Sequence, residues 1–466
     1  MAGTKNQLFM GNFIHSKTRE ELEYLINTAV CVDAKGVIVA VERGCDRETA
    51  ERTLYPRLGW KAGEVDVNVC GDGDFFFPGF IDTHLHASQY PNVGIFGKST
   101  LLDWLNTYTF PLEAKLGDEK LARRVYTAVV RKTLSHGTTT ACYYATRHVG
   151  STNVLADLCL ELGQRALVGR VCMDEASMCP DFYRDESPEW ALEATKACIA
   201  HIKGIDPDYA RVKPVITPRF APSCTSQVMR LMGALQKEMD LPVQTHISEN
   251  TSEIALVKSL FPESKHYTDV YDTHGLLTEK TILAHGVHLS EEEATLISER
   301  KAKVSHCPSS NSSITSGAAR VRWLWDKGIE VGLGTDMSGG YSPSVLENAR
   351  QANLVSRHVA MGIPDGEEKE RTKLTVDEVL YLATRGGANV VGMEDKIGAF
   401  EVGKEFDAIQ VGLGAIDEEG ILRGEGNVDI FGWENWEEKV AKWLFNGDDR
   451  NCKKVWVKGV LVHERK

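Results

Sequence analysis

The 466-residue sequence has no apolar run long enough to cross a bilayer, no C-x-x-C pair and no surplus of basic residues. Each absence excludes a class of protein. Without an apolar span there is no transmembrane helix, and the opening MAGTKNQLFMGNFIHSKTREELEYL lacks the continuous apolar core of a secretory signal, so a cytosolic protein is expected. The eleven cysteines are odd in number and scattered, which suggests neither a disulfide framework nor a cysteine zinc site. They read as small buried apolar residues in a reducing compartment. The formal net charge of -13, from 66 acidic and 53 basic residues, disfavours a nucleic-acid polymer or an anionic membrane as partner.

What is present is a globular composition, 42% hydrophobic and 26% charged, in a chain long enough for one large domain and a smaller one. Eight apolar runs alternate with amphipathic helical stretches: Phe75 to Thr83, Thr138 to Tyr144, Arg165 to Val171, Val212 to Thr217, Pro242 to His246, Thr281 to His285, Lys303 to His306 and Glu330 to Gly334. Strand and helix alternating in this way build an α/β protein with a parallel sheet, and eight strands favour a closed (β/α)8 barrel. The reactive residues cluster after these runs, in "DTHLHASQ", "TPRFAPS", "THISEN", "LAHGVH", "SHCPSSN" and "LGTDMSGG". In a (β/α)8 barrel that is the face that carries the active site.

The two ends of the chain read differently. "AVCVDAKGVIVAVE" near the start, and "FDAIQVG" and "KVWVKGVLVHERK" near the end, are short strands around turns, too small to bury a core separately. They are expected to pair into one small β-sandwich, formed by 1–74 with 395–466, beside a barrel of 75–394. The Trp-rich "GNVDIFGWENWEEKVAKWLFNGDDRN" is expected to pack on that sandwich or on a second subunit, and "PSSNSSITSG" reads as a loop over the barrel mouth.

His84 and His86 are two residues apart on a strand, so both imidazoles leave the same face. His246, His285 and Asp336 stand at the ends of the fifth, sixth and eighth runs. A catalytic zinc takes about three or four protein ligands and leaves a position open for water, and His84, His86, His246 and Asp336 supply such a set. Taken singly, each histidine is as well explained as a hydrogen-bonded polar residue at a strand end. Gathered at one barrel face, they read as ligands.

The series His84-x-His86, His246-x-x-Glu249, His285 and Asp336, spread over eight βα units, resembles the amidohydrolase superfamily. That resemblance implies a distorted (β/α)8 TIM barrel with a small β-sandwich built from both termini. Binuclear members carry a carboxylated lysine at the end of the fourth strand. Here Thr217, Pro218 and Arg219 occupy that place and Lys213 lies at the strand's beginning, so one zinc ion per subunit is expected. The strings "DTHLHASQYPN", "LLDWLNTYTFPLE", "TPRFAPSC", "THISEN" and "GLGTDMSGG" are similar to those of the aminohydrolases that deaminate purine bases, and imply conversion of guanine and water to xanthine and ammonia.

By the same resemblance, Glu249 shuttles protons between water, ring N3 and the leaving ammonia. Asp336 is both ligand and proton acceptor, and His285 is catalytic, steadying the tetrahedral intermediate rather than binding the metal. Gln89, with a donor and an acceptor, and Arg219, with donors only, suit the N1–H and O6 edge of guanine. Phe220 would stack on the purine, Ala87 and Ser88 would line the pocket, and His246 and Asp336 would also touch substrate. Trp104 is assigned to the core. A homodimer is implied. The competing readings are another nucleobase deaminase or a triazine-type hydrolase on the same metal set, and a barrel that has lost its chemistry and serves as a scaffold.

Overall fold

The computed structural model describes residues 5–71, 73–424 and 426–465. Eight parallel strand positions form the barrel: Phe80–His86, Thr138–Tyr144, Arg165–Gly169 continued by Val171–Cys172, Val212–Pro214 continued by Thr217–Pro218, Val243–Ile247, Thr281–His285, Lys303–His306 and Val331–Leu333. The third and fourth are each broken in two. Closure is by hydrogen bonds between the last strand and the first: Thr83 Oγ1 donates to Leu333 O at 2.9 Å and Asp336 N to His84 O at 2.8 Å. Gly334 permits this approach, since a Cβ there would lie 2.8 Å from that of His84.

Helices surround the strands for ordinary reasons of pattern and capping. Pro188–Ile205 starts where Ser187 accepts a hydrogen bond from Trp190 N, with proline at the first position. Its inward stripe of Ala191, Ala194, Thr195, Cys198, Ile199 and Ile202 follows the helical period.

Both termini build one eight-stranded sheet. It curls on itself: Phe9 and Trp456 lie on strands three positions apart along the sheet, about 14 Å if flat, yet their rings are 5.3 Å apart. Phe13, Phe76, Phe400 and Phe406 complete this aromatic core. The run expected as one strand from Phe75 to Thr83 is two elements. Phe75–Pro78 pairs with Ala408–Val411 in the terminal sheet, and the barrel strand begins at Phe80, after the Pro78–Gly79 break. A proline cannot donate to the ladder, so the chain changes sheets there. The Trp-rich segment forms the helix Trp436–Asn446, whose Trp443 packs on Phe75, Phe77 and Phe80 at that junction. Among the described residues no helix is long and apolar enough to cross a membrane.

Candidate active site

The side chains of His84, His86, His246 and Asp336 converge at the C-terminal mouth of the barrel, one potential ligand atom from each lying within 4.8 Å of the others. His84 and His86 share a face of the first strand, as the pleat requires. His246 ends the fifth, and Asp336 follows the eighth with a left-handed φ of 43°. His285, at the end of the sixth, has φ 77°. Such backbone costs on the order of 1–3 kcal/mol for non-glycine residues and persists where surrounding structure enforces it.

The donor set fits a divalent cation. His86 Nε2 is 3.2 Å from His246 Nε2, and Asp336 Oδ1 is 3.1 Å from His84 Nε2 and 3.4 Å from His86 Nε2. His84 Nε2 is buried without a hydrogen bond of good geometry. Buried lone pairs aimed at one another are costly unless a cation lies among them. His246 Nδ1 donates to the Arg219 carbonyl at 2.6 Å, which leaves Nε2 as the free lone pair. Burial lowers the pKa of His84, and carries those of His86 and His246 well below the usual histidine value, so all three imidazoles are neutral donors. Burial pushes the Asp336 carboxyl up, but its hydrogen-bonding contact with His84 and the charge of nearby His285 outweigh that and hold the group well below the usual carboxylate range. Three neutral nitrogens and one carboxylate make an anionic site of the kind a zinc-type ion takes.

Two further groups lie beside the ligands. Burial pushes the Glu249 carboxyl up to about 7 despite the opposing pull of His285. Its Oε1 accepts from Ser316 Oγ at 3.0 Å, and its Oε2 is 3.4 Å from His285 Nε2. Burial alone would lower His285, but Glu249 and Asp336 raise it above its ordinary value. Its Nδ1 donates to Asn311 Oδ1 at 2.8 Å. His285 Nε2 is 3.9 Å from Asp336 Oδ2, and it stands outside the four converging donors.

A narrow cavity opens beside this cluster, lined by His86, Gln89, Arg219, Phe220, His246, Glu249 and Asp336 on its polar side. Its apolar wall is Leu101, Trp104, Leu105 and Ile314. Trp104 is therefore a wall of the cavity as well as part of the core. Ala87 and Ser88 are not on the wall: Ala87 packs in the core behind it, and Ser88 Oγ donates to the Ala145 carbonyl at 3.2 Å. Arg219 does not stand alone. Its Nη1 and Nη2 donate to Glu113 at 2.7 and 3.2 Å, and Gln89 Nε2 donates to the same carboxylate at 2.9 Å.

Sequence reasoning passed over Glu113, Asn311 and Ser316. The last two lie in the Ser-rich segment expected as a mouth loop, whose first part is the buried helix Pro308–Ser313. Lys213 is at the beginning of the fourth strand, and is not among the residues that converge.

Three histidines and an aspartate that could hold a metal ion at the C-terminal face of a (β/α)8 barrel, with a carboxyl and a histidine beside them, are the arrangement of a metal-dependent hydrolase site. The chain belongs to the amidohydrolase family, whose model matches residues 75–462. It is 46% identical over 462 residues to a probable guanine deaminase of Schizosaccharomyces pombe, covering 99% of this chain and 84% of that one. It is 41% identical over 456 residues to the guanine deaminase of Mus musculus, covering 98% and 96%. A crystal structure of guanine deaminase from C. acetobutylicum with bound guanine in the active site superposes with a TM-score of 0.85, at 33% identity, over 98% of this chain and 100% of that one.

Proposed function

We propose that this chain is a metal-dependent hydrolase that removes the 2-amino group of guanine, taking up water and releasing xanthine and ammonia. The full-length likeness to guanine deaminases supports the chemistry. The observation that carries the choice of base is the polar edge of the cavity, where Arg219 and Gln89 stand on the same wall system as Glu249 and Asp336. One zinc per chain, held by His84, His86, His246 and Asp336, supplies the Lewis acidity that makes water a nucleophile near neutral pH.

The protein's own groups do the rest. Arg219 donates to O6 and Gln89 accepts from N1–H, which turns the C2 end of the ring toward the ligand cluster. Glu249 takes a proton from the attacking water and delivers it to N3, then helps the amino group leave as ammonia. Its raised affinity for protons suits a group that must both accept and give one near neutral pH. His285, pushed toward its protonated form by Glu249 and Asp336 and oriented by Asn311, donates toward the attacking oxygen and steadies the tetrahedral carbon. Asp336, held ionised, accepts the second proton of the water and passes it to the amino nitrogen, which leaves as ammonia while C2–O becomes the carbonyl. Phe220 lies against the base, and Leu101, Trp104, Leu105 and Ile314 keep bulk water from its apolar faces. The reading extends to a cytosolic homodimer in which the barrel that begins at Phe80 is catalytic and the sheet of both termini, Phe75–Pro78 included, stands beside it.

The test is a parallel assay of guanine, adenine, adenosine and cytosine, following base and ammonia. Xanthine from guanine alone is the expected result. Turnover of another base instead would keep the hydrolase and remove the edge assignment, and no turnover by zinc-loaded protein would leave a scaffold.

A further inference from the structure

We propose that Glu113 is a positioning residue that sets the donor and acceptor polarity of the edge that reads the substrate. The proposal rests on the guanine reading above. Glu113 is fully buried, on the helix Phe110–Lys115, and it is the shared acceptor of both edge groups: Arg219 Nη1 at 2.7 Å, Arg219 Nη2 at 3.2 Å and Gln89 Nε2 at 2.9 Å. The Arg219 guanidinium also lies over the Phe110 ring at 5.2 Å, so its plane is fixed from two sides.

The consequence follows from what an ionised carboxylate is able to do. It only accepts. Gln89 therefore turns its NH2 toward Glu113 and its Oε1 away from it, where that oxygen accepts a long hydrogen bond from Ser338 N at 3.4 Å and keeps a second lone pair for a ligand. Arg219 spends one donor on each carboxylate oxygen and keeps the remaining N–H groups for a ligand oxygen. The cavity edge is thereby written as donor beside acceptor, the complement of a 6-oxo group beside a ring N–H. Without an acceptor-only partner, only the long Ser338 N–H contact would oppose a turn of the Gln89 amide that presents its NH2, the wrong complement for a ring N–H. A neutral amide at position 113 also offers an NH2 that must face either Arg219 or Gln89, donor against donor.

The experiment uses the zinc-loaded full chain, wild type and Glu113→Gln, and measures binding of hypoxanthine and of unsubstituted purine by calorimetry, beside guanine kinetics. Hypoxanthine carries the 6-oxo and N1–H pair and purine lacks both, while neither has an amino group at C2 to lose. Wild type is expected to bind hypoxanthine more tightly than purine. In Glu113→Gln the hypoxanthine Kd and the guanine KM should rise about tenfold or more, with kcat within about threefold and the purine Kd unchanged. Equal weakening of both ligands, or an unchanged hypoxanthine preference, would overturn the proposal. Should the Gln variant fold poorly, Glu113→Asp keeps the charge but is one methylene shorter, and is expected to lose part of the preference; full retention of it would be equally contrary. Failure of the wild type to turn over guanine would strike the functional reading instead, and the hypoxanthine-to-purine comparison would still decide the role of Glu113.

Discussion

Replacing Glu249 by glutamine removes a proton carrier while leaving the four converging donors untouched. The side chain is buried, so the isosteric amide keeps the volume filled, and Ser316 Oγ retains an oxygen to donate to at the position of Oε1. What is lost is the ability to take and return a proton, and a positioned acid–base group contributes about 10²- to 10⁴-fold. That corresponds to about 3–5 kcal/mol of transition-state stabilisation. Because the lost interaction belongs to the transition state, kcat and kcat/KM should fall together. Xanthine formation followed by absorbance, with metal content measured on the same sample, checks this. Turnover within tenfold of wild type at equal metal content would refute the shuttle; a drop that tracked lost metal would make Glu249 a support of the ligand set instead.

Asn311→Ala leaves the Nδ1–H of buried His285 without its acceptor and should cost about tenfold in kcat, the scale of one hydrogen bond to a charged group; unchanged steady-state kinetics would mean that Glu249 and Asp336 orient the ring unaided. Arg165→Met, at the junction of barrel and terminal sheet, takes the guanidinium away from the buried carboxylate of Asp407 and leaves the part-buried Glu405 with Lys458 alone, and should lower unfolding free energy by about 3 kcal/mol in urea titrations. Burial pushes the Glu405 carboxyl up, but Arg165 and Lys458 hold it below its usual 4.5. Stability from this depressed carboxyl is therefore fully present above about pH 4.5 and lost as pH falls through the lower folded value, so the gap between wild type and variant should close in acid; a gap that widened there would contradict the pairing.

Much of the barrel was legible because parallel strands buried on both faces are continuous apolar runs, and Thr138–Tyr144, Thr281–His285 and Lys303–His306 have the expected bounds. The ligand candidates were legible for a related reason. A strand pleat fixes which way His84 and His86 point, and barrel topology fixes that His246 and Asp336 end at the same face. The first run misled because two sheets meet in it: Phe75–Pro78 is as apolar as the strand after it, and only Pro78–Gly79 marks the change. Glu113 was illegible because its partners Gln89 and Arg219 lie 24 and 106 residues away and nothing in "TFPLEAK" distinguishes a buried acceptor from a helical surface carboxylate. Asn311 and Ser316 were hidden by composition, since a stretch so rich in serine reads as a loop until Pro308 is seen to begin a helix.

In the proposed mechanism the converging histidines and Asp336 hold the metal that guanine hydrolysis needs. Turnover of guanine should be measured on one preparation as purified, after exhaustive chelation, and after return of one equivalent of zinc. Activity abolished by chelation and restored by zinc, with xanthine and ammonia formed in equal amounts, is the expected result. Undiminished turnover by protein shown to be metal-free would contradict it.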